Sequence, residues 1–366
     1  MRRPQVTKRL LCALLILSLA LPCLGLAEEN GLSGTAWYGK RDKQGFVLTF
    51  GDETYHLKWL RESGEVGMDN EYPYAYDAEK GEFVGDFPYT NTRGKTINSK
   101  LSFHASDDGK ALIATGQLFN GAGYYGRVAF CSIDGMAGSI DLNALDALSG
   151  EASDALYQSM WYASAEENGQ TVQKLLLFEY SSARVYTLKE NAQDSFYSAL
   201  GWAAYGDAVI LYDRDRIYTL TRAGDRLEGE MDGESLSFRF LPDSPESLAL
   251  VPNELNVSDY DESLSADAFI ILPNSVWLAE TEEGARALLV LIENTAFYVA
   301  IDQRSVSAAL LHSSYLSNIV ILSADYPPAD GDPCYYLTWT GSTVESDVTG
   351  THLTFAPVHS DLAKQE

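Results

Sequence analysis

The chain has 366 residues, of which 46% are hydrophobic and 21% charged, a composition typical of globular proteins and not of disordered chains or coiled coils. It carries 26 Lys and Arg against 52 Asp and Glu, which gives a formal net charge of −26. A chain this acidic lacks the basic footprint that nucleic-acid phosphates need and is repelled by anionic lipid, so neither is expected as a partner.

Residues 1–27 have the pattern of an export signal. The basic residues Arg2, Arg3, Lys8 and Arg9 precede an apolar run over 10–21. That run is shorter than the ~20 residues that span a bilayer, although a retained anchor is the alternative. Gly25 and Ala27 supply small residues at the positions that signal peptidase reads. Cleavage after Ala27 predicts an exported protein, extracellular or at the cell surface, with no membrane span in the mature chain.

The cysteine count excludes a disulfide-built scaffold. Cys12 and Cys23 leave with the signal, so the mature chain keeps Cys131 and Cys334. Two buried thiols in separate cores are the favoured interpretation. The alternative is one disulfide between them, since export favours oxidation.

Three stretches of the chain open alike and end alike. Each opens with Leu, three mostly small or polar residues, an apolar residue and Trp: 32–37, 156–161 and 272–277. Each ends in an apolar-x-Phe strand: 128–130, 236–238 and 353–355. The spans from Trp161 and from Trp277 to these endings are nearly equal, whereas the span from Trp37 is longer. We therefore predict three tandem copies, with these tryptophans in structural positions.

Within each copy the pattern is that of short antiparallel strands. In the first copy, 46–50 and 55–59 are β-rich and are joined by the polar turn 51–54. Each copy holds about six to eight such strands, enough to close a small barrel or a two-sheet sandwich. The predicted fold is therefore all-β, with three tandem small antiparallel β-barrel or β-sandwich domains after a signal peptide.

The segments between copies set the domain boundaries. The predicted domains cover 31–134, 155–242 and 271–359. Segment 135–154 is predicted to be a linker with a short helix capped by Ser139, because Leu142, Leu145 and Leu148 follow at a spacing of three residues. Segment 243–270 is predicted to be an acidic linker with at most a helical turn.

The opening of the first copy resembles that of a known family. Leu32-Ser33-Gly34-Thr35-Ala36-Trp37 is similar to the Leu-x-Gly-Thr-x-Trp pattern with which lipocalin-like domains of exported bacterial proteins begin. The later copies keep Leu and Trp but carry Gln158-Ser159 and Asn274-Ser275 in place of Gly-Thr. The resemblance implies up-and-down antiparallel barrels, each able to hold a small apolar molecule in its interior.

Motifs of catalysis and cofactor binding give little support to an enzyme. Residues 121–126 fit G-x-G-x-x-G, but a strand and not a helix follows them, which indicates a glycine-rich hairpin loop. The sequence has no Walker A, G-x-S-x-G or H-E-x-x-H motif, and its five histidines show no close metal-ligand spacing. An enzyme is therefore the third of three functional hypotheses.

Calcium is the one cofactor that the acidic turns suggest. Asp330 and Asp332 stand in Asp-Gly-Asp, the first place to test, although no cluster matches the twelve-residue calcium loop. Aspartates are also expected in the turns of so acidic a chain.

Tyrosine is unusually frequent, with 22 residues. Tyr72, Tyr74 and Tyr76 alternate, so an extended segment places them on one side, and exposed ring faces suit a sugar ring or a flat apolar partner. Further tyrosines in Gly- and Pro-containing stretches of the same copy are Tyr89, Tyr124 and Tyr125. The alternative is that these rings fill the core or cover one edge of a barrel. The extra length of the first copy makes this region the predicted binding site.

Three functions follow in order of preference. The first is a non-catalytic exported protein that acts in binding or adhesion at or outside the cell surface. The second is a lipocalin-like carrier of small apolar ligands, and the third an uncharacterised enzyme. The partner is not determined by the sequence; a polysaccharide, a cell-surface protein and a small apolar ligand all remain open.

Overall fold

The computed structural model describes residues 31–41, 43–63, 65–90, 93–119, 126–133, 142–167, 170–180, 182–248, 250–281, 284–302, 305–329 and 331–361. Three closed, eight-stranded antiparallel barrels follow one another along the chain. The predicted all-β fold of three tandem domains is therefore confirmed, and barrels replace the alternative of sandwiches. The chain divides into two compact units, Met1–Asp146 with barrel 1 and Ala147–Glu366 with barrels 2 and 3. The expected export signal, 1–27, lies outside the described residues.

Barrel 1 is an up-and-down meander. Its strands are β1 (Ala36–Arg41), β2 (Gln44–Phe50), β3 (Thr54–Leu60), β4 (Val66–Asp77), β5 (Glu82–Thr90), β6 (Thr96–Ala105), β7 (Ala111–Gly116) and β8 (Arg127–Ser132). A 3₁₀ turn at Gln117–Phe119 precedes β8, which pairs with β1 and closes the barrel.

Barrel 2 follows the helix α1 (Leu142–Leu156). Its strands are β9 (Met160–Glu167), β10 (Gln170–Phe178), β11 (Ala183–Leu188), β12 (Phe196–Tyr205), β13 (Ala208–Tyr212), β14 (Ile217–Ala223), β15 (Arg226–Met231) and β16 (Glu234–Leu241), with a 3₁₀ turn at Ala192–Asp194. Pairing of β16 with β9 closes the barrel.

Barrel 3 follows the short helix α2 (Ser265–Ile271). Its strands are β17 (Val276–Glu280), β18 (Arg286–Ile292), β19 (Thr295–Ile301), β20 (Val306–Leu316), β21 (Ile319–Ser323), β22 (Cys334–Trp339), β23 (Val344–Ser346) and β24 (Leu353–Pro357). Pairing of β24 with β17 closes it, and a last strand, β25 (His359–Ser360), leaves the barrel.

All three barrels begin with the same hydrogen-bonded corner, which explains the repeated sequence motif. The residue three before Trp has a positive φ: 78° at Gly34, 56° at Gln158 and 69° at Asn274. The Ser or Thr hydroxyl that follows bridges the Leu carbonyl and the Trp indole. In barrel 3 the Ser275 hydroxyl donates to the Leu272 carbonyl at 2.5 Å and accepts from Trp277 Nε1 at 2.6 Å. The same pair of bonds joins Thr35 to Leu32 and Trp37, and Ser159 to Leu156 and Trp161.

These corners anchor the barrel interiors. Trp37, Trp161 and Trp277 are each 2% exposed and belong to the three barrel cores. Each helix leads into the Leu of the motif, Leu156 as the last residue of α1 and Leu272 directly after α2, and adds an Ala one turn earlier, Ala152 and Ala268. Each helix thus presents an Ala-x-x-x-Leu face, because residues four apart lie on one side of a helix.

Barrels 2 and 3 pack against each other through the outer faces of their first strands. Leu176 of β10 lies in the core of barrel 2, whereas its neighbours Leu175 and Leu177 join an apolar cluster shared with barrel 3. Leu288 and Val290 of β18 reach that cluster from the other side. The uninterrupted apolar runs 175–178 and 287–292 follow from this, because both faces of these strands are buried.

The C-terminal segment of the chain also joins barrel 3 to barrel 2. His359 and Ser360 pair in parallel with Phe196 and Tyr197 of β12, beyond the point where β13 ends. Next to them the Ser198 hydroxyl donates to the Asp361 carboxylate at 2.6 Å. Arg286 of β18 is a further link between the two barrels, because it donates to the Glu190 carbonyl at 2.5 Å.

The two connecting segments differ from their predicted form. The helix predicted around 139–149 extends to Leu156, because its last turns bury Ala152 and Leu156 in barrel 2. Segment 243–270 contains α2 in addition to 3₁₀ turns at Pro245–Leu248, Val257–Asp259 and Glu262–Leu264. Leu248 and Ala268 of this segment are buried in the core of barrel 3, so it is part of that domain's packing.

Cys131 and Cys334 are free thiols. Cys131 is buried in β8, and burial raises the pKa of its thiol to about 12, whereas Cys334 is partly exposed at the start of β22. Within the described part of the chain, neither helix has the length and apolar character needed to cross a bilayer.

Candidate functional site: the cleft between barrels 2 and 3

The tyrosine row of barrel 1 is directed largely into the barrel. Tyr72 and Tyr74 are half-buried against the core, and the Tyr74 hydroxyl donates to the Gly51 carbonyl at 2.7 Å. Burial raises the pKa of Tyr74, with a smaller contribution from the nearby Asp52 carboxylate. Only Tyr76, at the end of β4, is substantially exposed, at 47%. The structure therefore places two of these rings in the core-filling position that the sequence left open as the alternative.

The remaining predicted site residues are not brought together with this row. Tyr124, Tyr125 and Asp330 lie outside the described residues, as does the side chain of Tyr89. Asp332 accepts a hydrogen bond from the Ala329 backbone at 2.7 Å, an ordinary turn contact. Among the residues that the structure describes, no group of three or more His, Cys, Asp or Glu is arranged to hold a metal ion.

A cleft of about 570 Å³ opens where barrels 2 and 3 meet. Four segments form its walls: the corner of each barrel and the turn between the second and third strands of each barrel, β10–β11 and β18–β19. Its lining residues are Tyr157, Gln158, Phe178, Glu179, Tyr180, Asn274, Ile292, Glu293, Asn294, Thr295 and Phe297. The walls combine aromatic rings with amides and carboxylates, the mixture expected of a site for a polar ligand that carries rings.

Two exposed tyrosines dominate one wall. Tyr180 is 86% exposed and Tyr157 is 46% exposed, and their ring centroids lie 6.3 Å apart in an edge-to-face arrangement. An exposed ring costs free energy in water unless a partner covers it, and each ring presents a flat apolar face with few rotatable bonds. The pair is therefore a suitable platform for stacking.

The turn that carries Tyr180 is held by an ion pair whose two side chains are largely shielded from solvent. Glu179 donates its backbone N–H to the Ser182 carbonyl at 2.8 Å, which closes the turn. The Glu179 carboxylate meets Arg184 Nε at 2.6 Å and accepts from the Ser182 hydroxyl at 2.8 Å. The side chains of Arg184 and Glu179 are only 11% and 14% exposed. Trp202 adds a bond from its indole to the Glu179 carbonyl at 2.9 Å, so the exposed ring stands on a fixed base.

Backbone geometry turns polar side chains of the cleft toward solvent. Gln158, Asn274 and Glu293 all have positive φ, and all three are exposed. A non-glycine residue in this conformation is uncommon, and such residues occur often in tight turns and functional sites. Glu293 has no ion pair among the residues described. The cleft is therefore negative, which favours a neutral ligand over an anionic one.

Comparison of the barrels shows how the tyrosine pair arises. In barrel 1 the residue four before Trp is Ser33, and its hydroxyl donates to Asp52 of the β2–β3 turn at 2.6 Å. The corresponding positions in barrel 2 are Tyr157 and Tyr180, since the turns Gly51–Thr54 and Glu179–Ser182 are closed by the same backbone bond. The polar Ser33–Asp52 contact of barrel 1 is thus replaced in barrel 2 by the exposed Tyr157–Tyr180 pair. Alignment of the repeats was the signal that could have identified this site from sequence.

Comparisons with known proteins give this chain no family. No protein-family model matches it, and no curated protein matches its sequence. Solved structures to which it is similar include the DNA polymerase sliding clamp of Caulobacter crescentus, at 8% identity over 89% of this chain and 92% of that chain, with a TM-score of 0.14. The DNA polymerase III β chain of Streptococcus pneumoniae matches at 11% identity over 94% and 97%, with a TM-score of 0.12. TM-scores this low support no conclusion about the function of this chain.

Proposed function

We propose that this protein is an exported, non-catalytic binding protein that recognises a neutral carbohydrate in the cleft between barrels 2 and 3. The observation that carries the proposal is the exposed Tyr157–Tyr180 pair, with Tyr180 on a fixed turn, in a cleft that amide side chains also line. Sugar rings present C–H faces that stack on aromatic rings, and hydroxyl groups that bond to amides and carboxylates. Export rests on the pattern of residues 1–27.

The alternative of an apolar carrier has less support. A carrier needs an empty barrel interior, whereas small barrels are usually filled by their own side chains. In barrel 3 the interior holds Tyr298, Trp339 and Phe355, all nearly inaccessible to solvent. In barrel 1 the rings of Phe50, Tyr55 and Phe103 contact one another at centroid distances of 5.1–5.9 Å.

A glycosidase would also bind carbohydrate in a cleft. It needs two carboxyl groups there, one of them able to donate a proton. The cleft has Glu179 and Glu293. One Glu179 oxygen forms the ion pair with Arg184 and the other accepts from the Ser182 hydroxyl, which leaves this carboxylate in a structural position. We therefore infer binding without turnover.

The test is an array of immobilised neutral and acidic oligosaccharides probed with the mature chain. We expect binding to a subset of neutral glycans, with Tyr180→Ala reducing affinity at least fivefold, since stacking on an aromatic ring contributes about 1 kcal/mol beyond its area. Tyr76→Ala is the matched control, because it also deletes an exposed tyrosine, and it should bind as the wild type does.

Two results would count against the proposal. One is binding to no glycan by the folded wild-type protein. The other is loss of binding in Tyr76→Ala with Tyr180→Ala unaffected, which would return the site to barrel 1. Release of reducing sugar from a bound glycan would overturn the non-catalytic part alone.

A further inference from the structure

A second, smaller groove adjoins the cleft and has a different chemical character. It has a volume of about 190 Å³ and shares Tyr157, Gln158 and Phe297 with the cleft. These three residues form a common wall, so the two spaces lie on either side of one ridge. The groove continues from that ridge along the seam of barrels 2 and 3.

The surface of the groove is mainly hydrocarbon. Its other lining residues are Ala155, Ser159, Met160, Phe240, Leu241, Asp243, Ala308, Ala309 and Leu310. Phe240 is partly exposed there, although its ring packs edge-to-face on Trp161 at 5.3 Å. When a ligand covers an exposed apolar surface, the free energy of the complex falls, so a ligand that also reaches this groove binds more tightly.

The polar groups at the groove are already bonded within the protein. The Asp243 carboxylate accepts from the Leu310 backbone at 2.9 Å, and Asp243 forms a β-bridge with Ala308. The Ser159 hydroxyl is engaged by Leu156 and Trp161. An occupant of the groove therefore meets alkyl and aromatic groups and finds few free hydrogen-bond partners.

We infer that the ligand is an amphiphilic glycoconjugate, a neutral saccharide whose apolar substituent lies in this groove while its sugar rings occupy the cleft. This inference rests on the proposed function, since it adds the substituent to the same ligand. The ridge shared by the two spaces carries the inference: a sugar stacked near Tyr157 directs one of its ends over Gln158 and Phe297 into the groove. A short alkyl chain or a single aromatic ring fits the volume.

The test compares methyl and n-hexyl glycosides of the sugar that binds best on the array, both by calorimetry below the concentration at which the hexyl compound forms micelles. We expect the hexyl glycoside to bind at least tenfold more tightly, because burial of about two of the added methylenes is sufficient for that factor.

Ala155→Phe, on the exposed face of the last turn of α1, is designed to fill the groove without entering a core. It should remove the hexyl advantage and leave methyl-glycoside affinity unchanged. Ala155→Ser is the matched control, because it keeps the groove open, and it should retain the advantage.

The outcomes separate the two proposals. Equal affinities for the two glycosides in the wild type, or a hexyl advantage that survives in Ala155→Phe, would overturn the inference that an apolar substituent lies in the groove. Carbohydrate binding in the cleft would remain supported. If the array yields no sugar, n-hexyl and methyl glucoside serve as probes. Binding of n-hexyl glucoside alone, abolished by Ala155→Phe, would support the groove while the carbohydrate proposal fails. Binding of neither would overturn both.

Discussion

Replacement of Trp277 by Ala is expected to lower the free energy of unfolding of the second unit by about 3–5 kcal/mol, the range for deletion of a large buried aromatic side chain. Trp277 is almost inaccessible, lies in the core of barrel 3 and anchors the corner through Ser275. Its removal leaves a cavity, and the Ser275 hydroxyl keeps its bond to the Leu272 carbonyl but loses the indole N–H that it accepts from. Urea denaturation combined with hydrogen exchange of the barrel 3 amides measures the loss where it occurs.

Two further variants give stability changes with which the loss in Trp277→Ala can be compared. Ser275→Ala removes the bridge but keeps the ring, and should cost about 1–3 kcal/mol because the buried indole N–H loses its acceptor. Tyr180→Ala deletes an aromatic ring that is 86% exposed and should change stability by at most about 0.5 kcal/mol. If Trp277→Ala were as mild as Tyr180→Ala, the repeated corner would not be an anchor of the fold.

Replacement of Arg184 by Met is expected to destabilise the second unit by about 3–5 kcal/mol, because it leaves the Glu179 carboxylate buried without its cation. Lys43→Met is the matched control. Lys43 lies 2.6 Å from Glu62, the same separation as in the Arg184–Glu179 pair, but these side chains are 75% and 66% exposed. An exposed pair contributes about 0–1 kcal/mol, so Lys43→Met should be nearly neutral. Denaturant unfolding of the three proteins gives the comparison.

The double variant Arg184→Met with Glu179→Gln tests the cause. It removes both charges, so most of the stability lost in Arg184→Met should return. Carbohydrate affinity should stay low in the double variant if the ion pair also fixes the turn of Tyr180. A double variant as unstable as the single one would mean that the packing of the Arg184 side chain, and not the stranded carboxylate, accounts for the loss.

The fold was accessible from sequence because its determinants are local and repeated. The Leu-x-x-Ser/Thr-x-Trp corner recurs three times, and each of its side-chain bonds spans only two or three residues. Alternation and turn residues indicated the strands that follow. The choice between barrel and sandwich depends on whether the last strand meets the first, as β24 meets β17, a contact that no local pattern encodes.

The candidate site was less accessible because it is built from residues distant in sequence. The apolar composition of 175–178 and 288–292 predicts strands, but when both faces of a strand are buried the sequence does not indicate which surface covers the second face. The packing of barrel 2 on barrel 3 brings Tyr180 near Asn294. The alternating tyrosines of barrel 1 were the stronger local signal, yet alternation places side chains on one side of a strand without stating whether that side faces the core.

The central claim is that the ligand occupies the cleft between barrels 2 and 3, and hydrogen exchange with and without a saturating glycan tests it most directly. We predict slower exchange at 157–158, 178–182 and 292–295, with no change at 72–76. Protection confined to 72–76, with the cleft segments unchanged, would contradict the account and assign recognition to the tyrosine row of barrel 1.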